Sequence, residues 1–177
     1  MKRFNLLHFT SPQPLACIRK KSPEFNNLIE IFKKGLYLET SNQLIIWNVP
    51  FDNLKNLGNP EFRQTSDQRA DLIWKNEKIL NGLTVDLTVM RWFGLTGINK
   101  KFKYAYAYLC QEDFEKTKVR LNAELGKEGK YKKINDLEYK YTWDLGKCKI
   151  ELIQGDRFGP NWTLNIKHKS SWYGLLR

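Results

Sequence analysis

The sequence predicts an α+β fold, mainly antiparallel sheet with two amphipathic helices. Three observations carry that expectation: strict apolar/polar alternation through most of the chain, two segments with 3.6-residue periodicity and helix-end signals, and turn residues between the alternating runs. The 177 residues are long enough to bury a core without disulfide staples and read as one compact domain over 1–177. Hydrophobic residues make up 41%, and no apolar run approaches the ~20 residues of a membrane-spanning helix.

The N-terminal stretch carries Lys2-Arg3 and a Leu15-Ala16-Cys17 step that faintly looks like a lipoprotein cleavage site. Asn5, His8, Thr10, Ser11, Gln13 and two prolines break its apolar run, which argues against a signal segment. The first helix is announced by Ser22-Pro23-Glu24, an N-cap followed by Pro and an acidic residue in the first turn. Phe25, Leu28, Ile29 and Phe32 form its stripe, and Lys33-Lys34-Gly35 is expected to close it with a C′ glycine. A second helix is expected from near Gln111 to Gly126, with Phe114, Leu121 and Leu125 as a narrow stripe lying on a sheet.

Strands account for most of the rest. Leu44 to Val49 is an apolar run, Phe51, Leu54 and Leu57-Gly58 suggest a short helix or turn, and Leu83, Val85, Leu87 and Val89 alternate. Near the C-terminus Tyr139, Tyr141, Trp143 and Leu145 alternate with polar residues, as do Cys148, Ile150 and Leu152 and then Trp162, Leu164 and Ile166. A two-residue Leu145-Gly146 loop would place Trp143 opposite Cys148, Tyr141 opposite Ile150 and Lys140 opposite Glu151. Aligning Trp74 with Trp143, and Gly58 with Gly126, gives a diverged duplication of a strand–helix–strands unit over 36–93 and 101–169.

Chemistry is sparse. Cys17, Cys110 and Cys148 are widely spaced, and His8 and His168 lie near opposite ends. A disulfide framework, a zinc site and any other metal site are therefore not expected, and neither is a cofactor; the reducing cytoplasm is the expected compartment. No P-loop, nucleophile elbow or H-E-x-x-H motif occurs. His168 is read as a strand-end residue rather than a general base, and Cys110 as a buried hydrophobe. Asp86 and Glu151 fall on polar phases of their strands, where a lysine partner accounts for each. No catalytic residue is assigned.

Thirty Lys and Arg against nineteen Asp and Glu leave a net charge of +11, which favours an anionic partner. Basic clusters occur at 19–21, 33–34, 100–103, 130–133 and 167–169. The Tyr104, Tyr106 and Tyr108 stripe, beside Lys100, Lys101 and Lys103, is the pattern by which sheet-based nucleic-acid binders stack bases. Filling a core is the expected role of these tyrosines, because the glycine-interleaved signatures of such binders are absent. The leading functional expectation is a non-catalytic bacterial module that binds another protein, one with an acidic surface suiting the charge, in the manner of immunity or inhibitor proteins. Trp47, Trp92, Trp172 and Tyr173 would be its exposed anchors. A nucleic-acid-binding module using the Tyr/Lys face is the alternative, and a hydrolase or nuclease with dispersed carboxylates is the third reading.

Overall fold

A computed structural model describes residues 28–67, 69–92, 101–109, 113–155 and 161–169, with the side chains of Trp92 and Asn161 not described. Helix α1 (Leu28–Lys34) leads into a hairpin of β1 (Gly35–Leu38) and β2 (Gln43–Ile46), followed by the single turn α2 (Phe51–Leu54). Strands β3 (Glu61–Ser66), β4 (Arg69–Ile79), β5 (Leu83–Trp92) and β6 (Tyr104–Leu109) come next. Helix α3 (Phe114–Leu125) then precedes β7 (Lys130–Lys133), β8 (Glu138–Asp144), β9 (Cys148–Gly155) and β10 (Asn161–His168). The result is mostly antiparallel sheet with a few helices, the α+β class expected.

Eight strands form one antiparallel sheet in the order β3-β4-β5-β6-β10-β9-β8-β7. The order is symmetrical about the β6–β10 contact, each side being a helix followed by four meandering strands: α2 with β3–β6, and α3 with β7–β10. The sequence alignment places the tyrosine strand in the second unit; in the sheet it pairs with β5, Val85 opposite Leu109 and Thr88 opposite Tyr106, and continues the β3–β5 meander.

The core lies on the sheet face that carries Leu72, Trp74, Leu87, Ala105, Ala107, Trp143, Ile150, Leu152, Leu164 and Ile166, all buried. Both aligned tryptophans hold their indole N–H on the connection after, or the body of, their own helix. Trp74 Nε1 donates to the Leu57 carbonyl at 2.7 Å, and Trp143 Nε1 to Asn122 Oδ1 on α3 at 3.0 Å. Gly129 lies so close to the Trp143 ring that a Cβ there would fall 2.6 Å from it. Helix α3 is capped as its sequence dictates, Asp113 accepting from the Lys116 N–H at 2.7 Å and Gly126 taking φ 62°. Phe114, Thr117, Leu121 and Leu125 form its buried stripe.

Two local expectations are corrected. Gly35 is not a helix cap but the first residue of β1, where a Cβ would collide with the Ile45 carbonyl; glycine is needed for the close approach of β2. The β8–β9 hairpin is shifted by two residues from the register expected. Trp143 faces Ile150, Tyr141 faces Leu152 and Asp144 faces Lys149, so four residues make the loop. The reason is local. Asp144 Oδ1 accepts from the Gly146 N–H at 3.0 Å, Gly146 takes φ 79°, and the Leu145 N–H donates to the Cys148 carbonyl at 2.9 Å. This turns Leu145 into the core, where a two-residue loop would have held it at the tip. An even shift keeps every side chain on its face, so the alternation remains satisfied.

Candidate functional site: the outer face of the sheet

The polar phase of each strand makes the opposite face of the sheet. One row runs Ile73, Thr88, Tyr106, Asn165, Glu151, Thr142, Lys130 from β4 to β7. A flanking row holds Tyr104, Lys167, Lys149 and Asp144, and the other holds Asp86, Tyr108, Thr163, Ile153, Lys140 and Lys132.

The tyrosine stripe therefore stands on the outer face, which corrects the expectation of a core role. Ala105 and Ala107 fill the inner phase of β6, and Tyr108 is 52% exposed. Side chains of alanine leave room for Leu87, Leu164 and Ile166 on neighbouring strands and for the layer beneath, so the small residues turn inward. The rings form a ladder. Tyr106 and Tyr108 meet edge to face with centroids 5.6 Å apart, and Tyr104 lies 6.3 Å from Tyr106. Tyr104 donates its hydroxyl proton to Asn165 Oδ1 at 2.8 Å, with the Lys167 ammonium 5.6 Å from its ring centre.

Glu151 sits in the middle of this face with its side chain only 2% exposed. Lys140 and Lys149 reach its Oε1 at 2.7 and 3.0 Å, and Lys167 reaches Oε2 at 2.6 Å. Burial alone would raise the carboxyl, but the three ammonium donors outweigh it and hold it at about 2, below its ordinary 4.5. The sequence had assigned it one partner, Lys140, directly opposite; Lys140 instead reaches it diagonally, Thr142 being opposite. A second buried carboxylate, Asp71, is held by Arg69 through Nε and a terminal nitrogen at 3.0 and 2.7 Å, and the same guanidinium reaches the Tyr106 hydroxyl at 3.4 Å.

Charge on this face is uneven. Across β7–β10, Lys130, Lys132, Lys140, Lys149, Lys167 and the adjoining Lys169 outnumber Glu138, Asp144 and Glu151, whereas on β3–β5 Arg63, Arg69 and Lys75 are matched by Glu61, Asp71 and Asp86. A positive field thus lies beside the aromatic ladder. Asp86 pairs with Lys75 and is separated from β9 by β6 and β10, three inter-strand spacings or about 14 Å, so it and Glu151 form no carboxylate pair.

Of the expected anchors, Trp47 is buried rather than exposed. Its ring stacks on Phe102 at 4.6 Å, and its N–H donates to the Phe32 carbonyl at 2.6 Å. Trp172, Tyr173 and Lys100 lie outside the described residues, as do Cys110 and the side chain of Trp92. Lys101 is exposed beside a bridge to Pro50. The Lys103 carbonyl accepts the His168 N–H at 2.8 Å. Burial, Lys103 and Lys147 together hold the His168 imidazole below its ordinary range. Cys148 is buried, and burial pushes its thiol up to about 11, the range of an unreactive sulfur. Among the described residues, no group of three His, Cys, Asp or Glu could hold a metal ion, and no helix is long and apolar enough to cross a membrane. The fold and this face define a class only: an antiparallel-sheet α+β protein with a basic, aromatic sheet surface. Comparison with known protein families, curated proteins and solved structures gives no match.

Proposed function

We propose that the protein is a cytoplasmic binding module for single-stranded nucleic acid, engaged through the outer face of its sheet. The observation that supports this most directly is the placement of Tyr104, Tyr106 and Tyr108 on the outer face, in one lattice with the lysines of β7–β10. Bases stack on aromatic rings irrespective of sequence, and lysines along the strands neutralise the phosphates that run beside them. Tyr108, the most exposed rung, offers the stacking surface; Glu151 holds three lysines in fixed positions at its side.

Fluorescence anisotropy of a labelled single-stranded oligonucleotide, at low and physiological salt, tests the reading. Affinity should fall steeply with salt. Tyr108→Ala should weaken binding by about 1–3 kcal/mol without changing stability, and Lys132→Ala should lower the salt slope by about one. No binding at low salt, or an unchanged affinity for Tyr108→Ala, refutes it.

A second reading, a protein-binding module of the immunity or inhibitor kind, is favoured by one other observation. Tyr131, Ile134 and Leu137 are exposed together around the β7–β8 connection, beside edge strand β7. Capture experiments at two salt concentrations that return a protein held through this patch, with no nucleic acid in the eluate, would put this reading first.

A further inference from the structure

A cavity of about 490 Å³ opens at the end of the sheet where α1, β2, the β8–β9 turn and β10 meet, and its walls are Lys33, Lys34, Trp47, Asn48, Lys147, His168 and Lys169. Its volume lies in the range of small-molecule sites. Main-chain bonds hold its walls in pairs, α1 with the end of β2 and the β8–β9 turn with the end of β10, and anchor Asn48 to a neighbouring segment. The Trp47 N–H donates to the Lys34 carbonyl at 3.2 Å, the Lys169 N–H to the Lys147 carbonyl at 2.8 Å, and the Asn48 N–H to the Phe102 carbonyl at 2.7 Å. Trp47 and His168 form adjoining walls, ring centres 5.6 Å apart.

The chemistry of the lining is one-sided. Four lysines line it and no carboxylate does. Glu30 engages Lys33, and Asp144 engages Lys169 at 2.8 Å; Lys34 and Lys147 have no ion pair among the described residues. Among the described residues two positive charges are thus left over around one concavity. Repulsion among four ammonium groups opposes this arrangement, and an anion in their midst removes the penalty. Ammonium groups from three segments offer several donors, which suits a tetrahedral oxyanion with several oxygens to satisfy, and His168 and Asn48 line the same wall.

We propose that this cavity binds a phosphate monoester, whose two negative charges match the surplus and whose esterified group has room in the remaining volume. The site shares Lys169 with the margin of the outer face but its other walls lie off that face, and it does not depend on that face binding nucleic acid. The ester is the terminal phosphate of a nucleotide or of an oligonucleotide end, or the phosphate acts alone as the free ion.

The test is nuclear magnetic resonance of the His168 imidazole in the intact chain, assigned with His168→Gln, while inorganic phosphate is added at constant ionic strength against chloride. Saturable shifts are expected, with a dissociation constant of about 1 mM or tighter. The imidazole should also titrate at higher pH once phosphate offsets Lys33, Lys34, Lys103, Lys147 and Lys169, the cations around it. Lys34→Ala with Lys147→Ala, both exposed, should weaken binding about tenfold or more. A nucleoside 5′-monophosphate, and an oligonucleotide with and without its 5′-phosphate, identify which ester is preferred. A response equal to that of chloride, or one unchanged in the double variant, overturns the proposal. If the oligonucleotide binds the face while phosphate leaves His168 unmoved, this inference falls alone. If phosphate binds and oligonucleotides do not, the nucleic-acid reading falls alone.

Discussion

Replacing Glu151 by Gln tests whether the centre of the outer face is a structural device. The carboxylate accepts from Lys140, Lys149 and Lys167, and its pKa falls from 4.5 to about 2. Two and a half units correspond to about 3 kcal/mol of stability at neutral pH. The folded-state pKa is depressed, so this contribution is complete above about pH 4.5 and is lost as pH falls towards 2. Glutamine keeps the shape but leaves three ammonium groups facing one amide. Urea denaturation at pH 7 should therefore show Glu151→Gln destabilised by about 3 kcal/mol, with the difference shrinking below about 1 kcal/mol near pH 2, where the wild-type carboxyl is itself about half protonated. The same substitution removes a negative charge from the face, so oligonucleotide affinity should rise while stability falls. A difference that is independent of pH, or under about 1 kcal/mol at pH 7, would refute the reasoning.

Trp143 is fully buried beneath α3 with its indole bonded to Asn122, so Trp143→Ala should cost about 3–5 kcal/mol by chemical denaturation; a loss below about 1 kcal/mol would mean the α3 layer is not seated on this ring. Cys148, buried and with its thiol raised to about 11, should resist alkylation at pH 8 in the folded protein and react only as fast as the chain opens. Mass spectrometry in increasing urea would check this, and rapid labelling of Cys148 without denaturant would contradict its burial.

Amphipathic alternation is a local property, and it was enough to place most strands, helix α3, the described part of the first helix (its expected start at Ser22-Pro23-Glu24 lies outside the described residues) and the partition of residues between the two faces of each strand. Charge and the absence of catalytic motifs were equally legible, because composition needs no fold to be read. Alternation does not say which face turns inward. For β6 the tyrosines had the greater apolar area, yet Ala105 and Ala107 face the core, since crowding by Leu87, Leu164 and Ile166 admits only small side chains there. Hairpin register was decided by the Asp144 side chain and the left-handed Gly146, which together make a four-residue loop from what sequence reads as two. The three-lysine environment of Glu151 arises from diagonal and next-strand neighbours across β8, β9 and β10, and the basic cavity from the meeting of α1, β2, the β8–β9 turn and the end of β10. Sequence supplied those lysines in separate clusters. Strand order brought some of them together, because electrostatic convergence depends on distances that only the tertiary structure sets.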